Sequence, residues 1–257
     1  MNESSKWRTY WDQKSGQSVS DYEFDRGANP RPADVEALST QEFIAFVDPK
    51  ETDVLLDAGC GTGVNIVLLH DRVRRIIAVD FSEQAVARCQ RRVESQSIQN
   101  AEIRSASVTQ LPVEDRSVDR IICMSVFHYL GDDQVRTALR EFSRVLKPSG
   151  TLILHVKNSA SIYLSTLRVA KRVKKLLGAD VTFEHVRPFS WYRRELDVAG
   201  FRLADYNAFN LVILEGMPQS VVHFMQRVEL RHHKSMALRF GFVRRHGADL
   251  KLKAQLA

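Results

Sequence analysis

Three glycines at alternate positions are the clearest chemical signal in this chain. Gly59, Gly61 and Gly63 follow the apolar run Val54-Leu55-Leu56 and a carboxylate, Asp57. Glycines at this spacing let a strand turn sharply into a helix and leave backbone exposed to a bound ligand. A carboxylate at the mouth of such a loop repels pyrophosphate and suits a cationic ligand. The segment therefore predicts a site for a small molecule that carries positive charge.

A second carboxylate, Asp80, lies where a nucleoside-binding fold needs one. It ends the short apolar strand Arg75-Ile76-Ile77-Ala78-Val79-Asp80, and Ser82 can cap the helix that follows. In doubly wound folds, an acid about 20 residues beyond the glycine loop binds ribose hydroxyls. A dinucleotide fingerprint would also need Gly or Ala at position 64, where this chain has Val64. The loop and the acid together favour a nucleoside ligand without pyrophosphate.

These segments resemble the first two motifs of the class I S-adenosylmethionine-dependent methyltransferases. Two later segments extend the pattern: Ser117 to Met124 as strand four, and Leu146 to Leu154 as a helix end, a turn and strand five. The match covers about residues 50 to 157 and is similar to the small-molecule, type 11-like branch of the family. Because four motifs occur in order, the signal is much stronger than a lone glycine loop. The resemblance implies S-adenosylmethionine as the cofactor.

The resemblance also implies which residues bind that cofactor. They are Asp57, Ala58, Gly59, Cys60, Gly61 and Gly63 in the loop, Asp80 and Phe81 after strand two, Ser107 and Val108 after strand three, and Met124 at the end of strand four. Phe81 would pack on the adenine. Ser107 replaces the acid that is usual in the family, so Val108 would offer its backbone amide instead.

The order of these segments predicts an α/β fold. We expect a Rossmann-like, doubly wound, mostly parallel seven-stranded sheet with helices on both faces and a variable cap. Residues 1–48 should form an N-terminal lid and a helix, and residues 49–257 the methyltransferase domain, with a cap insertion at about 158–188. Beyond the cap, Ser190 is expected to cap a helix. The alternating segment from Asp249 to Gln255 is interpreted as an antiparallel strand at the sheet edge.

His128 is the first candidate for a general base. It follows strand four at its carboxyl end, where open sheets bind ligands, and histidine suits proton transfer near neutral pH. The alternative is that His128 shapes the pocket or caps the next helix. His155, inside strand five, is interpreted as a buried structural residue, and His185 is left undecided.

Composition bounds the class of protein. With 257 residues, of which 44% are apolar, the chain can form one catalytic domain with a cap. Neither a membrane span nor a signal-peptide core is evident, which predicts a cytoplasmic protein. Cys60, Cys89 and Cys123 show no C-x-x-C spacing, so we expect reduced thiols and no metal.

Two basic segments raise the question of partners. The predicted amphipathic helix 162–177 carries a basic face, first interpreted as solvated and alternatively as a contact for an anionic membrane or a phosphorylated substrate. The second segment, within residues 232–246, could contact nucleic acid. The absence of stacking aromatics and of a known RNA-binding module disfavours this interpretation. The residues of this segment are His232, His233, Lys234, Arg239, Arg244, Arg245 and His246. The oligomeric state is not predicted.

The combined prediction is a methyltransferase that acts on a small molecule. Oxygen is the slightly preferred acceptor because of the candidate histidines, and natural-product, quinone or glycolipid intermediates all fit. Methylation of RNA or protein is an alternative, weakened because the Asn/Asp-Pro-Pro-aromatic tetrad is absent from the sequence. A non-catalytic scaffold subunit with this fold is the third hypothesis, and Ser107 is the feature that favours it.

Overall fold

Seven strands form one sheet in the order β3-β2-β1-β4-β5-β7-β6. The computed structural model describes residues 7, 9–13, 32–161, 164–165, 171, 176, 184–209, 218–239 and 247–257, with the side chains of 232–239 left out. The strands are β1 Val54–Ala58, β2 Arg75–Asp80, β3 Ala101–Ser105, β4 Val118–Met124, β5 Leu146–Lys157, β6 Phe201–Phe209 and β7 Asp249–Leu256. The predicted Rossmann-like α/β fold is confirmed.

The first five strands are parallel, and their carboxyl ends lie side by side. Asp57 pairs with Ala78 of β2 and with Ile122 of β4, while Met124 pairs with His155 of β5. All five residues of β1 are buried, as expected for a central strand that is covered on both faces. This register places the carboxyl ends of β1, β2, β4 and β5 together at one end of the sheet.

The predicted position of the last strand is wrong. β7 lies between β5 and β6 and is antiparallel to both, and β6 is the edge strand. The alternation of β7 does not mark a solvent-facing edge, because its lysines face a helix. Lys251 is buried and pairs with Glu42, and the ammonium of Lys253 lies 5.8 Å from the centre of the Phe46 ring. The long lysine stems pack on apolar surface while their charged ends find partners there.

Six α-helices have their bounds within the described residues. They are α1 Ala33–Val47, α2 Val64–Leu69, α3 Glu83–Ser95, α4 Asp132–Val145, α5 Phe189–Val198 and α6 Gln219–Arg239. Ser82 caps α3 as predicted, because its hydroxyl accepts a hydrogen bond from the Ala85 amide at 3.2 Å. The cap predicted for α5 is wrong. Pro188 is its N-cap residue and Ser190 lies within the first turn, since proline suits the extended backbone just before a helix.

Most of the predicted cap and of its basic helix falls on residues that the structure leaves undescribed. In the second basic segment, the backbone of His232, His233, Lys234 and Arg239 lies in α6 without described side chains, and Arg244, Arg245 and His246 are undescribed. Of the basic face of helix 162–177, Lys171 alone is described. Within the described ranges, no helix is both long and apolar enough to cross a membrane.

Candidate active site

The glycine loop joins β1 to α2 in backbone conformations that favour glycine. Gly59 and Gly63 have φ angles of 85° and 86°. A Cβ atom on Gly59 would lie 2.3 Å from Cγ2 of Val126, and one on Gly63 would lie 2.7 Å from Sγ of Cys89. The amides of Gly59 and Cys60 both donate to the carbonyl of Val79, at 2.8 and 3.0 Å. The loop is therefore held close against β2, and only glycine fits at these two turns.

Asp80 fastens the loop to the start of α3. One carboxylate oxygen accepts the Gly61 amide at 3.0 Å, and the other accepts the Ser82 amide at 2.9 Å. Burial raises the pKa of Asp80, although these amide hydrogen bonds act in the opposite direction. Each oxygen retains lone pairs that a ligand hydroxyl could use.

Asp57 lies behind the loop and is only partly satisfied. Its side chain is buried, Oδ1 accepts a long hydrogen bond of 3.4 Å from Asn65, and Oδ2 has no hydrogen-bond partner. Burial, with a smaller contribution from the charge of Asp80, raises the pKa of Asp57 to about 7. A buried carboxylate oxygen without a partner is costly, so this position favours a ligand that brings a donor or a positive charge.

Ser107 begins the turn after β3, and its hydroxyl is used within that turn. It lies 2.7 Å from the Thr109 hydroxyl and accepts the Thr109 amide at 3.2 Å. The side chain thus stabilises the turn that presents Val108, in place of the acid that the family usually has there.

The described part of the N-terminal segment, residues 7 and 9–13, packs over the strand ends. Trp7 and Trp11 contact the ring of Tyr129 edge-to-face, with ring centres 4.7 and 5.2 Å apart. Asp12 accepts a 2.5 Å hydrogen bond from the Ser82 hydroxyl. Both tryptophans of the predicted lid therefore lie against the site.

One cavity of about 810 Å³ extends along these strand ends. We call one side the loop end; it is lined by Gly59, Cys60, Gly61, Asp80, Phe81, Ser107, Val108 and Met124. The other side, the histidine end, is lined by Phe43, Ser125, His128, Tyr129, His155, Lys157, Phe209, Gln226, Glu229, Asp249 and Lys251. Trp7 and Trp11 complete the wall. The predicted cofactor residues Asp57, Ala58 and Gly63 lie outside this lining and support it from behind.

The three candidate histidines differ in whether they line the histidine end. His128 lines the cavity and is almost fully buried, and burial lowers its pKa well below the usual 6.5. His155 also lines the cavity, with one ring nitrogen 2.7 Å from the Ser125 hydroxyl. His185 is not among the lining residues, and its backbone amide donates to the His128 carbonyl at 2.8 Å.

Neither a thiol nucleophile nor a metal centre emerges from the described residues. All three cysteines are buried and free, and a hydrogen bond with Cys89, together with burial, raises the pKa of Cys60 well above its usual value. No group of three or more metal-ligating side chains is found among the described residues.

Sequence reasoning missed several residues of the histidine end. These residues follow β4 or lie in α6 and β7, and carry no local motif: Ser125, Gln226, Glu229, Asp249 and Lys251. Of the elements that carry these residues, β7 had a pattern in the sequence, because its alternation predicted a strand. Its place beside β5 depends on long-range pairing.

Comparison with known proteins agrees with this geometry. Residues 55–150 match the family model of a methyltransferase domain, which spans the glycine loop, Asp80 and β4. These residues form a class I methyltransferase domain. An uncharacterized methyltransferase-like protein of Schizosaccharomyces pombe is 34% identical over 164 residues, or 62% of this chain. The match spans 56% of that relative, little more than half of its length.

Solved structures with the same fold extend over nearly the whole chain. A SAM-dependent methyltransferase from Aquifex aeolicus has a TM-score of 0.60 at 15% identity, covering 96% of this chain and 98% of its own. Geranyl diphosphate C-methyltransferase from Streptomyces coelicolor has a TM-score of 0.64 at 14% identity, covering 100% and 99%. At these identities the likeness concerns the fold alone.

The cofactor of this class of methyltransferase is S-adenosylmethionine, and the loop end fits it. The absence of a side chain at Gly59 leaves the backbone bare, Asp80 lines the wall, and Asp57 has a buried oxygen without a partner. Asp80 suits the ribose hydroxyls of the cofactor, and the negative charge of Asp57 behind the loop attracts its cationic groups. When bound, the cofactor supplies a methyl group made electrophilic by its sulfonium.

Proposed function

We propose that this chain transfers a methyl group from S-adenosylmethionine to a small-molecule acceptor bound at the histidine end. The observation that carries the proposal is the continuous cavity of about 810 Å³ that joins the loop end to the histidine end. Pockets for ligands and cofactors have volumes of about 300–1,000 Å³, so this one has the size for a nucleoside and a small acceptor side by side.

The protein positions the cofactor and the acceptor and excludes water from them. The glycine loop and Asp80 would hold the cofactor, with Phe81 and Val108 beside its adenine. Trp7 and Trp11 pack on Tyr129 and line the cavity above the strand ends. Alignment of two reactants in a closed site provides much of the acceleration that a transfer reaction needs. Oxygen remains the preferred acceptor, since two histidines that burial keeps neutral line the acceptor side.

One solved structure with this fold shows that the fold can bind a small acceptor. The Streptomyces coelicolor neighbour was solved with S-adenosylhomocysteine and geranyl diphosphate, a small C-methylation substrate. Natural-product, quinone or glycolipid intermediates are the acceptor classes we favour. Methylation of RNA or protein would need an open surface beside the cofactor, and the tryptophans over this cavity argue against it.

Calorimetric titration with S-adenosylmethionine and S-adenosylhomocysteine tests the proposal. We expect micromolar dissociation constants, about 8 kcal/mol of binding free energy, for the wild-type protein. Asp80→Ala should abolish measurable binding because it removes both the ligand contact and the anchor of the loop. Asp71→Ala, at a carboxylate whose side chain is 60% exposed, is the matched control. If the wild-type protein binds neither compound, the proposed methyl transfer is refuted and a scaffold subunit is favoured.

A further inference from the structure

Ser125 occupies an unusual position directly after β4. Its φ angle is 61°, in the left-handed region that non-glycine residues seldom adopt. The conformation is held because the Ser125 amide donates to the His155 carbonyl at 3.1 Å. It places the Ser125 hydroxyl 2.7 Å from Nδ1 of His155, on the wall of the cavity. Backbone strain of this kind is concentrated at functional sites.

Asp249 faces the opposite side of the same imidazole. Its Oδ1 lies 3.6 Å from Nε2 of His155, which is a charge contact rather than a hydrogen bond. A carboxylate on this side favours the tautomer with the proton on Nε2. Nδ1 then carries the lone pair, and the Ser125 hydroxyl donates to it. The hydroxyl oxygen keeps its own lone pairs for a ligand in the cavity.

We propose that Ser125, His155 and Asp249 form a proton relay that deprotonates a hydroxyl acceptor during methyl transfer. The proposal rests on the proposed function and assigns its acceptor as oxygen. As the acceptor oxygen gains the methyl group, its proton passes to Ser125 Oγ and the Ser125 proton passes to His155 Nδ1. The positive charge that leaves the sulfonium ends on the imidazolium, next to Asp249. Ser125 is the catalytic contact, and His155 and Asp249 act through it.

His128 is less suited to this task. Its Nδ1 is buried without a hydrogen-bond partner, so no neighbour orients that side of the ring. After burial, the charges that act on it are those of Lys157, His155 and Arg187, and all of them lower its pKa. His155 has instead a hydroxyl on one nitrogen and a carboxylate beside the other, the arrangement that general-base catalysis requires.

The surroundings keep His155 in its basic form at neutral pH. Burial is the largest influence and lowers the pKa of His155 below 6.5. The charged and titratable groups that face it are Asp249 and Lys251 from β7, Lys157 from β5, Glu42 from α1 and His128 after β4. The two carboxylates raise the pKa and the two lysines lower it. The relay is therefore ready above about pH 6.5 and is blocked when His155 becomes protonated.

The first test is the tautomer of His155, which needs no acceptor. Long-range nitrogen–proton NMR spectra of the ¹⁵N-labelled full chain, with His155 assigned by comparison with His155→Gln, report which ring nitrogen carries the proton. We expect the Nε2–H form in the wild type, with a pKa below 6.5 that falls further in Asp249→Asn. Asp133→Asn, at a carboxylate whose side chain is 97% exposed, is the matched control. An Nδ1–H tautomer would overturn the relay, because that nitrogen could then accept no proton.

The second test compares two acceptors that differ only in the reacting atom. Thiophenol is largely ionised at pH 8 and needs no base, whereas phenol must lose its proton. We expect Ser125→Gly and His155→Gln to slow phenol methylation by about 100-fold, the usual scale of general-base catalysis, and thiophenol methylation by less than 3-fold. Glycine suits the positive φ of residue 125, and His70→Gln, outside the cavity, is the control for His155→Gln.

Two kinetic results would refute the relay. Equal losses on both acceptors would mean that these residues only shape the site, and thiophenol methylation without phenol methylation in the wild type would exclude a hydroxyl acceptor. Covalent labelling of Ser125 by a fluorophosphonate would indicate acyl transfer instead. If the wild type methylates neither phenol nor thiophenol, the tautomer of His155 decides whether the relay is supported or refuted. Failure of the relay is distinct from failure of the proposed function, which would appear as absent cofactor binding.

Discussion

At the scale of single residues, Asp57 lowers the stability of the folded protein by an amount that depends on pH. Its pKa is about 7 in the folded chain, against an ordinary value of 3.8. Between these values the folded state holds a proton that the unfolded state has lost, so stability falls as the pH rises from about 4 to 7. Above pH 7 the penalty is constant, on the order of 4 kcal/mol. A carboxylate kept at such a cost is expected to serve binding.

Asp57→Asn should therefore stabilise the ligand-free protein while it weakens cofactor binding. We expect the midpoint of thermal unfolding to fall between pH 5 and 8 more steeply in the wild type than in the variant. Asp71→Asn should keep the wild-type slope, because that side chain is exposed. Equal slopes for all three proteins would show that Asp57 ionises normally.

A matched pair of glycines separates strain from steric exclusion. Gly59 and Gly200 have nearly the same φ, 85° and 84°, but a Cβ on Gly59 would lie 2.3 Å from Val126 while one on Gly200 meets nothing within 4 Å. Gly59→Ala should weaken cofactor binding at least 10-fold, as measured by calorimetry. Gly200→Ala should lower the unfolding temperature only. A similar effect of the two changes on affinity would contradict a cradle shaped by Gly59.

At the level of single residues, the sequence predicted the loop end better than the histidine end. Gly59, Asp80 and Val108 sit in contiguous motifs whose spacing is fixed by one strand, one turn and one helix. Ser125 and Asp249 are brought together by pairing between distant strands, and nothing local to either residue predicts the other. The same limit applies to His155, because no local pattern shows that it lies between Ser125 and Asp249 on the cavity wall.

At the scale of elements, both tryptophans of the N-terminal segment pack on one aromatic ring. Tyr129 contacts both Trp7 and Trp11, and burial raises its pKa above the usual value of 10. Tyr129→Leu should detach both tryptophans and weaken S-adenosylmethionine binding by about 10-fold. Tyr129→Phe keeps the ring and should keep the contact. Acrylamide quenching of tryptophan fluorescence measures the detachment, and unchanged quenching in Tyr129→Leu would refute it.

Strand bounds were predictable from sequence where burial was two-sided. The apolar runs of β1 and β2 admit few other interpretations, and α3 has both a cap and an amphipathic pattern. The predicted start of β5 is wrong: residues 146–150, expected as a helix end and a turn, are the first residues of the strand and follow α4 directly. β7 was placed wrongly because alternation normally means one solvated face, and here α1 covers that face and pairs with its lysines. Local pattern defines the element, and its neighbours define its position.

At the scale of the whole molecule, a buried ion pair holds the end of the sheet opposite the site. The Arg120 guanidinium lies 2.9 Å from Asp53, both side chains are about 90% buried, and Arg120 also donates to the Val47 carbonyl at the end of α1. It thereby ties β4 to the segment between α1 and β1. Removal of one partner leaves the other charged and buried.

Arg120→Ala should cost about 3–5 kcal/mol of stability, which lowers the unfolding temperature by roughly 10 °C for a chain of this size. Cofactor affinity below that temperature should stay within about 2-fold of the wild-type value, because the pair does not line the cavity. Scanning calorimetry and titration measure the two effects. A large change in affinity with little change in stability would contradict this division of roles.

The place of β7 between β5 and β6 has a consequence for synthesis on the ribosome. Strands β1 to β5 can pair in the order in which they leave the exit tunnel, so the loop end can form early. β6 emerges before β7 but has no partner until β7 arrives and pairs on both sides. The nascent chain would therefore acquire its cofactor half first, and Asp249 would complete the acceptor half only when this late strand is inserted.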